Sequence, residues 1–170
     1  VIATGSLRRK AQWLNRYPTH SIVGLRGNVN TRLEKLENND WNGAIFAAAG
    51  LGRLELTPED SVNLEWMVPA PAQGAVMIAS LKSNTEAIEA CAPLNHEETE
   101  ISTTIERDFL NKLEGGCSAP IGALAYIKEE EVHFHGIVLS TDGTRKIEAK
   151  RTAKLGEHHT LVDDCVEFIL

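Results

Sequence analysis

Seven consecutive apolar residues, Gly43–Ala49 (GAIFAAA), lie between an Asn- and Asp-rich loop and Gly50. A run this short, with no polar alternation, fits a strand buried on both faces of a parallel sheet, and such sheets need helices laid over them. The preceding segments supply them. Val1–Thr4 predicts a short buried strand, and Gly5-Ser6 opens a helix from Leu7 to about Tyr17, stopped by Pro18. Ser21–Leu25 predicts a second strand. After Arg26-Gly27, the spacing of Val29, Leu33 and Leu36 gives Asn28–Asn38 a helical face. Strand and helix thus alternate three times, which predicts an α/β unit with a mostly parallel sheet.

The stretch Val68-Pro-Ala-Pro-Ala-Gln-Gly74 marks a joint. Beyond it, Ala75–Leu81 predicts another strand and Thr85–Ala92 a short helix. His96–Leu113 is the longest helix candidate, with Ile101, Ile105, Phe109 or Leu110, and Leu113 on one face and Gly115-Gly116 closing it. Ile121–Ile127, Val132–Ser140 and Lys146–Thr152 predict three strands, the last two paired as an antiparallel hairpin around Thr141-Asp142-Gly143. His158–Leu170 predicts a closing helix with Leu161, Cys165, Phe168 and Ile169 inward. The second unit therefore reads as α+β.

With 42% hydrophobic and 24% charged residues, the composition of the 170-residue chain excludes disorder and collagen. No apolar run approaches the roughly 20 residues that span a bilayer, and no signal peptide is recognisable. The three cysteines, Cys91, Cys117 and Cys165, form no CxxC pair, so a reducing, cytoplasmic compartment fits best. Beginning at Val1 inside an apolar run, the chain reads as a piece of something longer.

A net charge of −7 argues against nucleic acid or an anionic membrane as partner. That average hides an asymmetry. Residues 1–53 hold eight basic and three acidic side chains, a balance of +5, against −12 for the rest. Six of those eight basic groups are arginines, whose planar fork matches carboxylate or phosphate oxygens in pairs.

Thr4-Gly5-Ser6-Leu7-Arg8-Arg9 puts two hydroxyls, two guanidinium groups and a helix start in one turn, which favours an anion. An ordinary capped helix with solvated arginines has the same features. The design recurs at Arg26-Gly27-Asn28 through Arg32, and again at Gly50-Leu51-Gly52-Arg53. Strand ends of an open parallel sheet share one edge, so three arginine-bearing loops would meet at one pocket for a multi-carboxylate or phosphate ligand. Gly50-x-Gly52 is a weak dinucleotide signal, since Glu55 stands where a third small residue belongs. Cys117, in Glu114-Gly-Gly-Cys-Ser-Ala-Pro120, is either a candidate for covalent chemistry or a small hydrophobe beside a helix C-cap. Cys91 and Cys165 read as core. His133 and His135 share a strand face, but no Asp or Cys completes a ligand set, so no metal is expected.

The segments TGSLRRKAQ, LRGNVNTRLEKL, AAAGLGRL, PAQGA, LNHEE, ERDFL and EGGCSAPIGA occur together and in order. In these the chain resembles porphobilinogen deaminase, also called hydroxymethylbilane synthase, over nearly its whole length. The resemblance implies a transferase of tetrapyrrole biosynthesis, which joins four porphobilinogen molecules and releases ammonia each time. It implies a dipyrromethane cofactor held through a thioether to Cys117 and contacted by Thr4, Ser6, Arg8, Arg9, Arg26 and Arg32. Substrate carboxylates would meet Arg9, Arg26, Arg32 and Arg53, with Gln73 near the cleft. Gly5 stands where the family more often has a serine, so one of the implied hydroxyl contacts is not carried over, while the site is.

The implied fold is a partial periplasmic-binding-protein-like α/β domain followed by a small α+β domain with a three-stranded antiparallel sheet. The implied divisions are most of domain two at 1–69, a segment crossing back to domain one at 70–93, and a C-terminal domain at 94–170. The catalytic aspartate of the family belongs to its N-terminal domain, for which no counterpart precedes Val1, so no catalytic residue is assigned and the fragment alone is expected to be inactive. The resemblance also implies a monomer, the typical state in the family. A non-catalytic carboxylate binder of solute-binder type is the competing reading, and the loop cysteine motif distinguishes the two.

Overall fold

The computed structural model describes residues 1–113 and 120–170, so that Cys117 and the loop 114–119 lie outside the described residues. The chain divides into two units, the first built from residues 1–68, 120–122 and 137–148, the second from 69–113, 123–136 and 149–170.

In unit 1, strand β1 (Ile2–Ala3) pairs in parallel with both β2 (Ile22–Val23) and β3 (Gly43–Ala44), giving the order β2-β1-β3. Parallel neighbours need crossovers, and helices α1 (Leu7–Arg16) and α2 (Val29–Glu37) provide them. Each helix begins on a side-chain cap. The Arg9 N–H donates to Ser6 Oγ at 3.4 Å and the Thr31 N–H to Asn28 Oδ1 at 2.8 Å, each satisfying an otherwise orphan donor.

The apolar run 43–49 does not form one strand. β3 ends at Ala44, and Ala48–Arg53 becomes helix α3. The sheet partner explains this, because β1 stops at Ala3 where the chain turns into α1, and three alanines without a strand to pair have the strongest helical preference of any residue.

Residues 137–148 complete unit 1. Asp142 Oδ1 accepts from the Ser140 hydroxyl and from the N–H and hydroxyl of Thr144, which holds its carboxyl down at about 2. The adjoining Gly143 has φ +76°, and a Cβ there would lie 2.5 Å from the Ala11 carbonyl oxygen. Its own carbonyl accepts Asn15 Nδ2 at 2.8 Å. Ala11, Val68, Ile137 and Leu139 form the apolar centre of the unit.

The expected three-stranded sheet is present, in the order β4 (Ile121–Lys128), β5 (Glu131–Leu139) and β6 (Lys146–Lys154), with residues of each strand in both units. Only Glu129 and Glu130 separate β4 from β5. Both have positive φ, the backbone of a two-residue type I′ hairpin.

Unit 2 is organised on helix α5 (Glu97–Lys112). Glu97, Glu98 and Glu100 occupy its first turn and Lys112 its last, each sign placed where the macrodipole favours it. Phe109 is fully buried and meets Phe134 edge-on with ring centroids 5.0 Å apart. That approach needs Gly136, where a Cβ would fall 2.5 Å from the Phe109 ring. Helix α6 (Leu161–Ile169) buries Leu161, Val162, Cys165 and Ile169. Lys112 Nζ ties it to α5, reaching Asp108 at 3.1 Å and Asp163 at 2.6 Å.

Three expectations fail in unit 2. Phe168 is 58% exposed beneath the Arg151 guanidinium rather than inward, because Ile169 takes the position one turn beyond Cys165. Cys91, on helix α4 (Thr85–Cys91), is half-buried rather than core. Residues 75–81 form no strand, and Val76, Met77, Ile78 and Leu81 are exposed. A strand exists only with a ladder partner, and among the described residues none lies beside this segment.

One buried acid fastens the unit. The Glu106 carboxylate accepts the Ala125 N–H at 2.7 Å on Oε1 and the Ala72 N–H at 2.5 Å on Oε2. Burial raises its pKa above the ordinary 4.5, and the two N–H bonds only partly offset this. A carboxyl raised in the folded state favours folding below its unfolded value, and that contribution is lost as pH rises through the folded value. Glu106→Gln is expected to abolish this slope just above pH 4.5. It should also lower stability at neutral pH by about 1–3 kcal/mol, because the amide NH₂ then faces a main-chain N–H. Urea unfolding between pH 4 and 7 checks both parts; an unchanged slope in the variant would assign the titration elsewhere.

Candidate functional site

The C-terminal ends of the three parallel strands place the turns after Ala3, Val23 and Ala44 on one edge of the unit 1 sheet, where ligands of open α/β sheets bind. The strand order reverses at β1, so the turn opening α1 occupies the switch point. Thr4 is buried there, its Oγ1 accepting the Ser6 N–H at 3.3 Å. Both hydroxyls accept main-chain N–H groups in shaping the turn.

Gly5 makes a close approach. A Cβ at this position would lie 2.4 Å from the Leu25 carbonyl oxygen, so the turn after β1 reaches the turn after β2 only without a side chain. Gly5→Ser is expected to destabilise the protein by about 1–3 kcal/mol, the range for overpacking a filled site. Thermal unfolding tests this, and an unchanged midpoint would show that the Leu25 carbonyl can retreat.

Arg8 is 7% exposed, and its Nη1 donates to the Val68 carbonyl. The same carbonyl accepts Gln12 Nε2 at 2.9 Å, while the Val68 N–H donates back to Gln12 Oε1 at 2.8 Å. Burial, and secondarily the Arg9 charge, push Arg8 down to about 10, which still leaves it protonated at neutral pH. Arg9 is half-buried and donates from Nη1 to the Ile45 carbonyl at 3.0 Å, which places it between the turns after β1 and β3. Its pKa is also lowered, first by burial and then by the charge of Arg32. Arg32 in turn donates from Nε to the Gly27 carbonyl at 2.7 Å. Gly27 has φ +123°, a region that favours glycine, and Lys35 Nζ donates to the Arg26 carbonyl at 3.0 Å.

The structure thus brings Arg8, Arg9 and Arg32 together. Among the described residues, no Asp or Glu is ion-paired with Arg9 or Arg32. Arg9 and Arg32, each held by a neutral carbonyl, repel each other, a cost that an anion between them would remove. The other predicted residues stand apart. Arg26 is exposed beside Gly27, and Arg53 is exposed in the last turn of α3. Gly50 and Gly52 lie inside α3 with no positive φ, so they form no dinucleotide turn. Gln73 is exposed in unit 2, its Oε1 accepting the Ala70 N–H at 3.4 Å. His133 stacks on Tyr126 with centroids 4.9 Å apart and meets Thr152 Oγ1 at 3.1 Å. Gln12 escaped the sequence reading. The signal for it was a polar residue one turn beyond Arg8 on the face of α1 that carries Ala11.

Comparison with known proteins is consistent from end to end. The family model described as "porphobilinogen deaminase, dipyromethane cofactor binding domain" matches residues 1–89, and that described as "porphobilinogen deaminase, C-terminal domain" matches 101–170. A chloroplastic porphobilinogen deaminase of Pisum sativum is 43% identical over 155 residues, covering 89% of this chain and 42% of the pea protein. A porphobilinogen deaminase of Campylobacter hominis is 44% identical over 154 residues, covering 88% of this chain and 50% of its own length. One of Syntrophotalea carbinolica is 37% identical over 171 residues, covering 99% of this chain and 54% of its own. The chain spans about half the length of the curated relatives it matches. With both of its halves matched and these identities sustained, the chain belongs to the porphobilinogen deaminase family.

Proposed function

We propose that the full-length protein joins four porphobilinogen molecules into hydroxymethylbilane with release of ammonia, and that this chain contributes its carboxylate site and its cofactor cysteine. The observation that carries the reading is the cluster of Arg8, Arg9 and Arg32 at the sheet edge, in which Arg9 and Arg32 have no acidic partner among the described residues. Every pyrrole of this chemistry carries acetate and propionate groups, so a growing chain is a string of carboxylates. Guanidinium forks bind such groups two oxygens at a time.

The cluster fits a dipyrromethane on the same ground, since its carboxylates would be counter-charges for Arg9 and Arg32, which have no acidic partner among the described residues. When bound through Cys117, that group supplies the primer from which the tetrapyrrole is extended. The residues of this chain bind and orient. Arg9 and Arg32 receive carboxylates at the β1/β3 side, Arg8 adds a desolvated charge behind them, and the Thr4 and Ser6 hydroxyls offer hydrogen bonds at the helix start. Arg26, Arg53 and Gln73, all exposed, suit later units of a lengthening product. We further infer that unit 1 belongs to a periplasmic-binding-protein-like lobe, a reading supported by its parallel order 2-1-3. The parent chain then divides at 1–69, 70–93 and 94–170, and works as a cytoplasmic monomer.

The test is made on the full-length protein. Intact mass is expected to show an excess of two pyrrole units localised to Cys117, and incubation with porphobilinogen is expected to release ammonia and hydroxymethylbilane. A bare Cys117 thiol in fully active protein, or carboxylate binding without turnover, would sink the reading.

A further inference from the structure

We propose that Gln12 is a positioning residue: through the main chain of Val68 it fixes the direction in which Arg8 presents its guanidinium to an anionic ligand. The role rests on the function proposed above, but the geometry is independent of it. Arg8 and Gln12 are four residues apart on α1 and therefore on one face. Both are buried. The Gln12 amide makes a reciprocal pair of bonds with a single residue, Nε2 to the Val68 carbonyl at 2.9 Å and Oε1 from the Val68 N–H at 2.8 Å. Arg8 Nη1 takes the other lone pair of that carbonyl. The Val68 side chain is packed with Ala11, Ile137 and Leu139, which anchors the residue that carries the carbonyl.

The choice of residue follows from the chemistry. Only a primary amide both donates to a carbonyl and accepts from an N–H at this reach. Glutamate would keep the second bond, lose the first and set a carboxylate within range of Arg8, cancelling the charge that the ligand needs. The neutral Val68 carbonyl directs the guanidinium without setting an opposing charge beside it.

The experiment is a double-mutant cycle in the full-length protein with two readouts. With Arg8 present, Gln12→Leu is expected to lower kcat/KM for porphobilinogen about ten- to a hundredfold. In an Arg8→Ala background the same change should move it less than about twofold, since non-additivity marks residues acting as one. Effects that simply multiply would overturn the proposal. The second readout needs no turnover. Nitrogen-15 spectra of the guanidinium groups, with Arg8 assigned by its loss in Arg8→Lys, should show slow rotation of the Arg8 group in the parent and rotation at least about tenfold faster in Gln12→Leu. Unchanged rotation would leave Gln12 a fastener of Val68 alone and overturn the proposal. If Gln12→Leu fails to fold, Gln12→Glu serves, with the Arg8 signals expected to shift as the guanidinium turns to the new carboxylate; unmoved signals would overturn it too. A parent protein that turns over no porphobilinogen overturns the functional reading, and the guanidinium spectra then decide the positioning role.

Discussion

Cys117→Ser in the full-length protein is expected to abolish covalent attachment of dipyrromethane, and with it all tetrapyrrole synthesis. A thiolate is a strong nucleophile that forms at a pH near neutrality, whereas a serine hydroxyl stays protonated and has no base assigned to activate it. The two other cysteines are internal controls. Cys165 is fully buried on α6, and burial raises its thiol pKa, so it offers little thiolate. Cys91 is half-buried on α4. Cys91→Ala and Cys165→Ala should each cost only about 1 kcal/mol of packing and leave loading intact. Intact-mass measurement on the three variants separates these outcomes; added mass persisting in Cys117→Ser would refute the attachment site.

The second large effect belongs to Arg9. Losing one charge-assisted contact to a carboxylate in a partly desolvated site costs about 2–4 kcal/mol, so Arg9→Ala is expected to reduce kcat/KM roughly 30- to 1,000-fold. Folding stability should move the other way or hold, because removing Arg9 relieves its repulsion with Arg32. That opposition of signs is the useful part of the test, since damage to the fold would lower both. Arg9→Lys should restore activity only in part, an ammonium being unable to match two carboxylate oxygens at once. Arg16 is the comparison residue. It is exposed, as a helix position facing water should be, but its guanidinium lies 4.9 Å from the Trp66 ring centroid and 5.7 Å from that of Tyr17. Arg16→Ala should therefore change stability slightly and activity not at all. Equal loss in Arg16→Ala and Arg9→Ala would mean that the pocket has been placed wrongly.

What could be read without coordinates was local. The caps Ser6 and Asn28, the stop at Pro18 and the turn at Asp142-Gly143 act within a few residues of themselves, and each stands where short-range chemistry puts it. The misplaced elements share a different dependence. Residues 43–49 and 75–81 are strand-like in composition, yet a strand forms only as far as a partner accompanies it, and partner length is a property of another segment. Phe168 and Ile169 fit the inward face of α6 equally well by periodicity, and only the packing chooses. At the site, arginine excess and strand-end logic located the turns carrying Arg8, Arg9 and Arg32. They did not distinguish these from Arg26 and Arg53, because burial depends on what covers a side chain. Gln12 and Glu106 were missed for one reason: their partners are main-chain groups, and a main-chain group leaves no trace in residue identity.

The Gly143 contact has a consequence for the order in which the protein is made. Helix α1 carries Arg8 and Arg9, yet the turn that braces it at Asn15 is 128 residues further along the chain. At a synthesis rate of about 5–20 residues per second, that turn leaves the ribosome roughly 6–26 s after the helix it supports. Ile137 and Leu139, which cover Ala11, arrive only slightly sooner. For that interval Ala11 lacks the cover of Ile137 and Leu139 and has only Val68 of its cluster, whereas the Gly27, Ile45 and Val68 carbonyls that hold the guanidinium groups are already made. The brace at Asn15 and the apolar cover of Ala11 are therefore late products of translation, completed only when the hairpin closes over a helix made long before it.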